Sequence, residues 1–168
     1  MTLFIKEKDT AFKDRFLITD EDNRICYTAE GKHLALNKKL TIFDSHNKPL
    51  AVVQKKALAL TPKYAVLVED EEVAELHKES SLLGKPYYKV EGPNWTVDGD
   101  IWDREYNIRR NMDVIAKIRP ALLSPKDTCK ITLSDEINPL MVVAVVTAIS
   151  CILDAEGEGA VKTNNTEG

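Results

Sequence analysis

The run "DGDIWD", residues 98 to 103, puts three carboxylates, Asp98, Asp100 and Asp103, within six positions. Oxygen ligands at that density are what a hard cation such as calcium takes. A calcium loop also needs further acids at fixed spacing and a closing glutamate, which this stretch lacks, so a polar turn flanking Trp102 is the better reading. His33, His46 and His77 are scattered, with no adjacent nucleophile or paired ligand to work with. Cys26, Cys129 and Cys151 form no CxxC and are odd in number, which points to neither zinc nor a disulfide framework. There is no glycine-rich phosphate loop. Tyr87, Tyr88, Trp95, Trp102 and Tyr106 could make a binding stripe, although aromatics on strands more often pack inward or across strands. The expectation is therefore no catalytic residue, no metal and no cofactor.

Charge is the remaining chemistry, and its meaning depends on the elements that carry it. The chain has 168 residues and a formal net charge of −4, which argues against a general nucleic-acid binder. Residues 1 to 135 hold twelve short runs of alternating apolar and polar residues, rich in β-branched and aromatic types, from "TLFIKE" through "EYNIRR" to "DTCKITLS". Between them lie tips such as "DEDN", "DSHN", "EDEE" and "EGPN", residues that accept tight or left-handed turns. These are hairpins, so the strands run antiparallel. Phe16, Leu40, Tyr64 and Tyr88 recur every 24 residues, and "ITDEDNR" and "IFDSHNK" repeat one strand-to-turn unit. A propeller would need more residues than this; a closed barrel or a sandwich is more economical.

The run "NPLMVVAVVTAISCIL", 138 to 153, breaks the pattern: fourteen residues follow Pro139 with nothing more polar than Thr147 and Ser150. Strands are seldom so long, and Asn138 as N-cap, Pro139 at the first position and Gly157 as a stop all favour a helix of about 138 to 154. A length of about 21 Å is short for crossing roughly 30 Å of hydrocarbon, and the amino terminus, charged from Lys6 onward, does not read as a signal peptide. A helix apolar on all sides must be buried on all sides, and a barrel of eleven or twelve strands is wide enough to hold one. The fold expected is thus mainly β: a twelve-stranded antiparallel closed β-barrel over residues 1 to 154, enclosing a central hydrophobic C-terminal helix. Residues 155 to 168, small, polar and aperiodic, read as a disordered tail.

The order of hairpins, "GDIWDREYNI" at 99 to 108 and the late apolar helix after an acidic turn resemble the LURP-one-related family, which stands with phospholipid scramblases and Tubby carboxy-terminal domains. The resemblance covers residues 1 to 154 and implies the same barrel around a central helix. Tubby domains bind phosphoinositide headgroups through basic surface residues. Scramblases carry a calcium-binding acidic segment and a palmitoylated cysteine-rich stretch, and neither pattern is present here.

In a meander, alternate connections lie at the same end. One end collects acids such as Asp20, Asp44, Glu69 to Glu72 and Glu91; the other collects Lys6, Lys13, Lys32, Lys38, Lys39, Lys55, Lys56, Lys63 and others, with Asp154 and Glu156 emerging beside them. Lysines at strand ends also keep a β protein soluble and guard its edges. Lys38 and Lys39 lead into one strand and Lys55 and Lys56 end its hairpin partner, which clusters these four as a candidate site for anionic lipid. The function expected is a non-enzymatic cytoplasmic binding module, peripheral to a membrane through the basic rim and with no transmembrane insertion. The alternative is a protein-interaction adaptor without lipid affinity.

Overall fold

The computed structural model describes residues 1–8, 13–32, 38–80, 82, 86–122 and 128–164. All twelve alternating runs are strands: β1 (Thr2–Glu7), β2 (Lys13–Thr19), β3 (Ile25–Lys32), β4 (Lys39–Asp44), β5 (Pro49–Lys55) and β6 (Lys63–Val68) make the first half. The second half is β7 (Glu71–Ser80), β8 (Pro86–Glu91), β9 (Trp95–Asp100), β10 (Glu105–Arg110), β11 (Asp113–Pro120) and β12 (Thr128–Leu133), followed by α1 (Pro139–Asn164). Each strand pairs antiparallel with its sequence neighbour, and β1 pairs with β12 from Thr2↔Thr132 to Lys6↔Thr128, so the sheet closes into a barrel. Closure gives every described strand a partner on both sides, which protects its edges from templating aggregation.

The 24-residue repeat has a physical basis in the hairpins. Their registers shift between Ile18 and Thr19, Ile42 and Phe43, and Val66 and Leu67, so successive β-bulges carry the same spacing. A bulge sharpens twist locally, which a closing sheet needs. Asp20 Oδ1 accepts hydrogen bonds from the backbone N–H groups of Asp22 and Arg24, both at 2.9 Å, and Asp44 Oδ1 does the same for His46 and Lys48 at 2.8 and 2.9 Å. These bonds to the ionised form hold both carboxyl groups below the usual range. Asn23 and Asn47 then take φ of 61°, the left-handed conformation asparagine tolerates.

Inward side chains alternate along every strand, from Leu3 and Ile5 on β1 to Ile131 and Leu133 on β12, and all face the helix. Phe16, Leu40, Tyr64 and Tyr88 are among them. Asn138 caps the helix as expected, its Oδ1 accepting from the Leu140 N–H at 3.0 Å. Val142, Val143, Val145, Val146, Ile149 and Ile152 are buried; at about 1.5–3 kcal/mol each they contribute about 9–18 kcal/mol. That is comparable with the net stability of a whole domain, about 5–15 kcal/mol, so the barrel depends on its plug.

One boundary differs from the sequence reading: residues 155–164, expected to begin a disordered tail, are helical. The helix does not stop near 154 but continues to Asn164. Ala155, Glu156, Ala160 and Lys162 are good helix formers, and one glycine at 157 costs only about 1 kcal/mol, so a helix already nucleated inside the barrel propagates through it. The apolar segment is correspondingly longer: by length and composition Pro139–Gly157 is sufficient to cross a membrane. Its side chains from Val142 to Ala148, with Ile149, Cys151 and Ile152, are instead packed inside the barrel.

Candidate functional site

The "GDIWD" turn is built by its own residues. Asp100 Oδ1 accepts the Asp103 N–H at 3.0 Å, the Arg104 N–H reaches the Ile101 carbonyl at 3.1 Å, and Arg104 sits at φ 57°. Asp98 lies on the outer wall, paired with Arg109 at 2.9 Å. Gly99 (φ 127°) is required because a Cβ there would lie 2.6 Å from the Glu105 carbonyl oxygen and 2.8 Å from the Tyr106 Cα. The three acids thus act separately, and among the described residues no group of three or more His, Cys, Asp or Glu is placed to hold a metal ion. His46 is exposed on a hairpin tip. His77 lies on the wall with Nε2 3.1 Å from Glu79, while His33 is outside the described residues. Trp95 and Tyr106 are core residues.

The four lysines are brought together only in part. Lys39 opposes Gln54 in the β4–β5 ladder and the Lys55 N–H donates to the Lys38 carbonyl at 2.9 Å, so Lys38, Lys39 and Lys55 share one sector of the end where α1 leaves the barrel. Lys38 is turned toward the helix, its Nζ 3.0 Å from Asp154 Oδ2 and its side chain 13% exposed. Lys56 points up the outer wall, because on β5 the inward positions are Ala51 and Val53 and position 56 falls on the opposite face. There it reaches Glu72 at 2.7 Å and also Glu75, which Lys63 holds from the other side at 2.6 Å. The Lys56 and Lys63 hydrogen bonds draw the Glu75 carboxyl down to about 2, and the bonds to Glu72 and then Glu75 raise the Lys56 ammonium. Exposed Lys39 and half-buried Lys55 make no ion pair with any described residue. A further rim lysine, Lys78, is paired with Glu156 of α1 at 3.3 Å, so the helix end mutes this rim.

Two features escaped the sequence reading. The β8–β9 ladder ends at Tyr88↔Val97, although β8 continues to pair with β7 down to Pro86 and β9 with β10 down to Asp100. The divergence opens a groove of about 1030 Å³ whose lining includes Tyr87, Tyr88, Ile101, Trp102, Arg109 and Met112. The Tyr88 hydroxyl is buried without a hydrogen-bond partner among the described residues, and burial, with Glu156 adding to it, pushes its pKa up to about 12. The second feature is the loop between β5 and β6, where Leu58 and Leu60 are fully exposed. The sequence signal was present in "KKALALTPK", an apolar tip between lysines.

Comparison with known proteins gives this geometry a context. Residues 1–150 match the LURP-one-related family. The uncharacterized protein YxjI of Bacillus subtilis (strain 168) is 31% identical over 152 residues, covering 90% of this chain and 91% of that protein. The X-ray structure of a protein from Arabidopsis thaliana superposes with a TM-score of 0.63 over 93% of this chain and 91% of that one; at 12% identity the likeness speaks for the fold alone. The fold expected from the residues and the extent of these matches agree: the chain belongs to the LURP-one-related family.

Proposed function

We propose that this barrel is a non-catalytic, cytoplasmic binding module that docks its helix-exit end on anionic phospholipid. The observation that carries the reading is that Lys39 and Lys55, on neighbouring strands of the helix-exit rim, Lys39 on the outer face and Lys55 on the inner, have no ion-pair partner among the described residues. Near an anionic surface each such cation contributes about 1 kcal/mol, and the contribution fades within a Debye length of about 8 Å. Two give about 2 kcal/mol, roughly a thirtyfold enrichment, so the contact is reversible and peripheral. The interior, where a barrel of this size would otherwise hold a small ligand, is filled by α1, which favours binding over catalysis. Sedimentation with vesicles tests it: phosphatidylserine vesicles should carry the protein down at 0.1 M salt and release it near 0.5 M, and phosphatidylcholine vesicles should not. Lys39→Glu with Lys55→Glu should remove binding without moving the melt. Wild type left in the supernatant at low salt would refute the reading.

A second reading, a protein-interaction adaptor, is favoured by the β8–β9 groove and the exposed Trp102 beside it. Its signature would be no vesicle binding together with a partner protein retained by wild type and lost by Trp102→Ser.

A further inference from the structure

We infer that the β5–β6 loop is a membrane-inserting tip, Leu58 and Leu60 entering the apolar layer of an anionic bilayer while Lys55 stays among the headgroups. The inference rests on the docking reading above and names the part of that end that goes in. Leu58 and Leu60 are 99% and 106% exposed, so neither gains anything from folding. A single exposed leucine needs no explanation, but the placement of these does. Leu82 between β7 and β8, Trp102 between β9 and β10 and Leu122 between β11 and β12 are exposed on the same helix-exit end. The opposite end carries Met1, Ile25 and Met112 among acidic tips.

The charge around the β5–β6 loop suits an anionic surface. The Lys56 N–H donates to the Lys63 carbonyl at 2.9 Å, closing the neck so that residues 57–62 project as one unit. Below the neck Lys56 and Lys63 neutralise Glu72 and Glu75, and beside it Lys39 and Lys55 are left as positive charge. The Trp102 turn, by contrast, is flanked by Asp100, Asp103 and Glu105, which an anionic surface repels. Two cations alone hold a protein weakly. Each leucine that leaves water strengthens partitioning by at least about tenfold, so the two together turn a weak electrostatic encounter into a stable one.

The test uses the whole chain. Leu58→Trp is made with Trp102→Phe, leaving Trp95 as the other tryptophan, buried and at the far end of the barrel. With phosphatidylserine vesicles whose acyl chains are brominated, emission from position 58 should shift to the blue and be quenched, and Leu58→Ser with Leu60→Ser should weaken vesicle binding at least tenfold at an unchanged melting temperature. Vesicle binding by wild type with no quenching, and equal binding by the serine variant, would overturn insertion while leaving docking intact. No vesicle binding at low salt would overturn both. Loss of self-association in sedimentation velocity on removing the leucines, with vesicle binding unchanged, would assign the tip to a protein interface and overturn insertion as well.

Discussion

Thr147 lies fully buried in the middle of α1, and its Oγ1 has no hydrogen-bond partner among the described residues. A threonine in a helix can return its hydroxyl to the carbonyl four residues back, here that of Val143, yet no such bond is made. A buried hydroxyl left unpaired costs about 1–3 kcal/mol, and valine has the same shape without it. Helix propensity does not oppose the exchange, because valine and threonine rank together. Thr147→Val should therefore stabilise the barrel by about 1–3 kcal/mol. For a chain of this size each kcal/mol moves the melting temperature by about 2–4 °C, which gives a rise of about 2–12 °C by calorimetry or circular dichroism. Thr147→Ser is the control: it keeps the hydroxyl, loses the methyl group and should melt below wild type. A valine variant melting below wild type would mean that the hydroxyl has a partner after all, and the reasoning would fail.

Other perturbations test other parts of the construction. Val145→Asp places a carboxylate at a fully buried helix position, where it must stay protonated; binding that proton at pH 7 against an ordinary pKa of about 3.9 costs about 4 kcal/mol, and the variant should be insoluble or melt well below wild type. Gly99→Ala should cost about 1–3 kcal/mol through its backbone conformation alone, with the contact against Tyr106 added, and a melt within a degree of wild type would contradict the strain argument. Glu75 supplies a pH dependence: its folded pKa of about 2 lies below its ordinary 4.5, so the unfolded chain binds more protons between these values and stability rises with pH across that window. The advantage of wild type over Glu75→Gln should be complete above about pH 4.5, shrink as pH falls and vanish near pH 2; a difference independent of pH would show that the ion pairs do not set it.

The barrel was legible because each strand announces itself twice, by alternation within the run and by asparagine, aspartate or glycine at the tip. The plug was legible because fourteen apolar residues with a cap at Asn138 can be satisfied only by burial on all sides. What period 2 could also have shown is that Lys55 and Lys56 point to opposite faces. It could not have shown that Lys56 reaches Glu72 and Glu75, since those neighbours come from β7, two strands away, and depend on the stagger of the closed sheet. The groove was out of reach for the same reason: the divergence of β8 from β9 is a property of three ladders together, while the sequence shows two ordinary strands.

The interior and the rim of this molecule answer to different demands. Inward positions are fixed by the helix they must pack against, and Phe16, Leu40, Tyr64 and Tyr88 recur because each occupies the same place in a repeated hairpin. A substitution there acts on stability first. Tip residues carry no such burden: the opposite end meets solvent with Asp20, Asp44, Glu69 and Asp70, which serve turns and solubility. Folding would permit the same polar residues at the helix-exit end, and serine in place of Leu58 or Leu60 would lose no packing. Leu58 and Leu60 therefore stand where turn chemistry and packing do not require them, close to Lys55. Since water disfavours that arrangement, the counterpart we propose for it is a surface that is apolar within and negatively charged at its boundary.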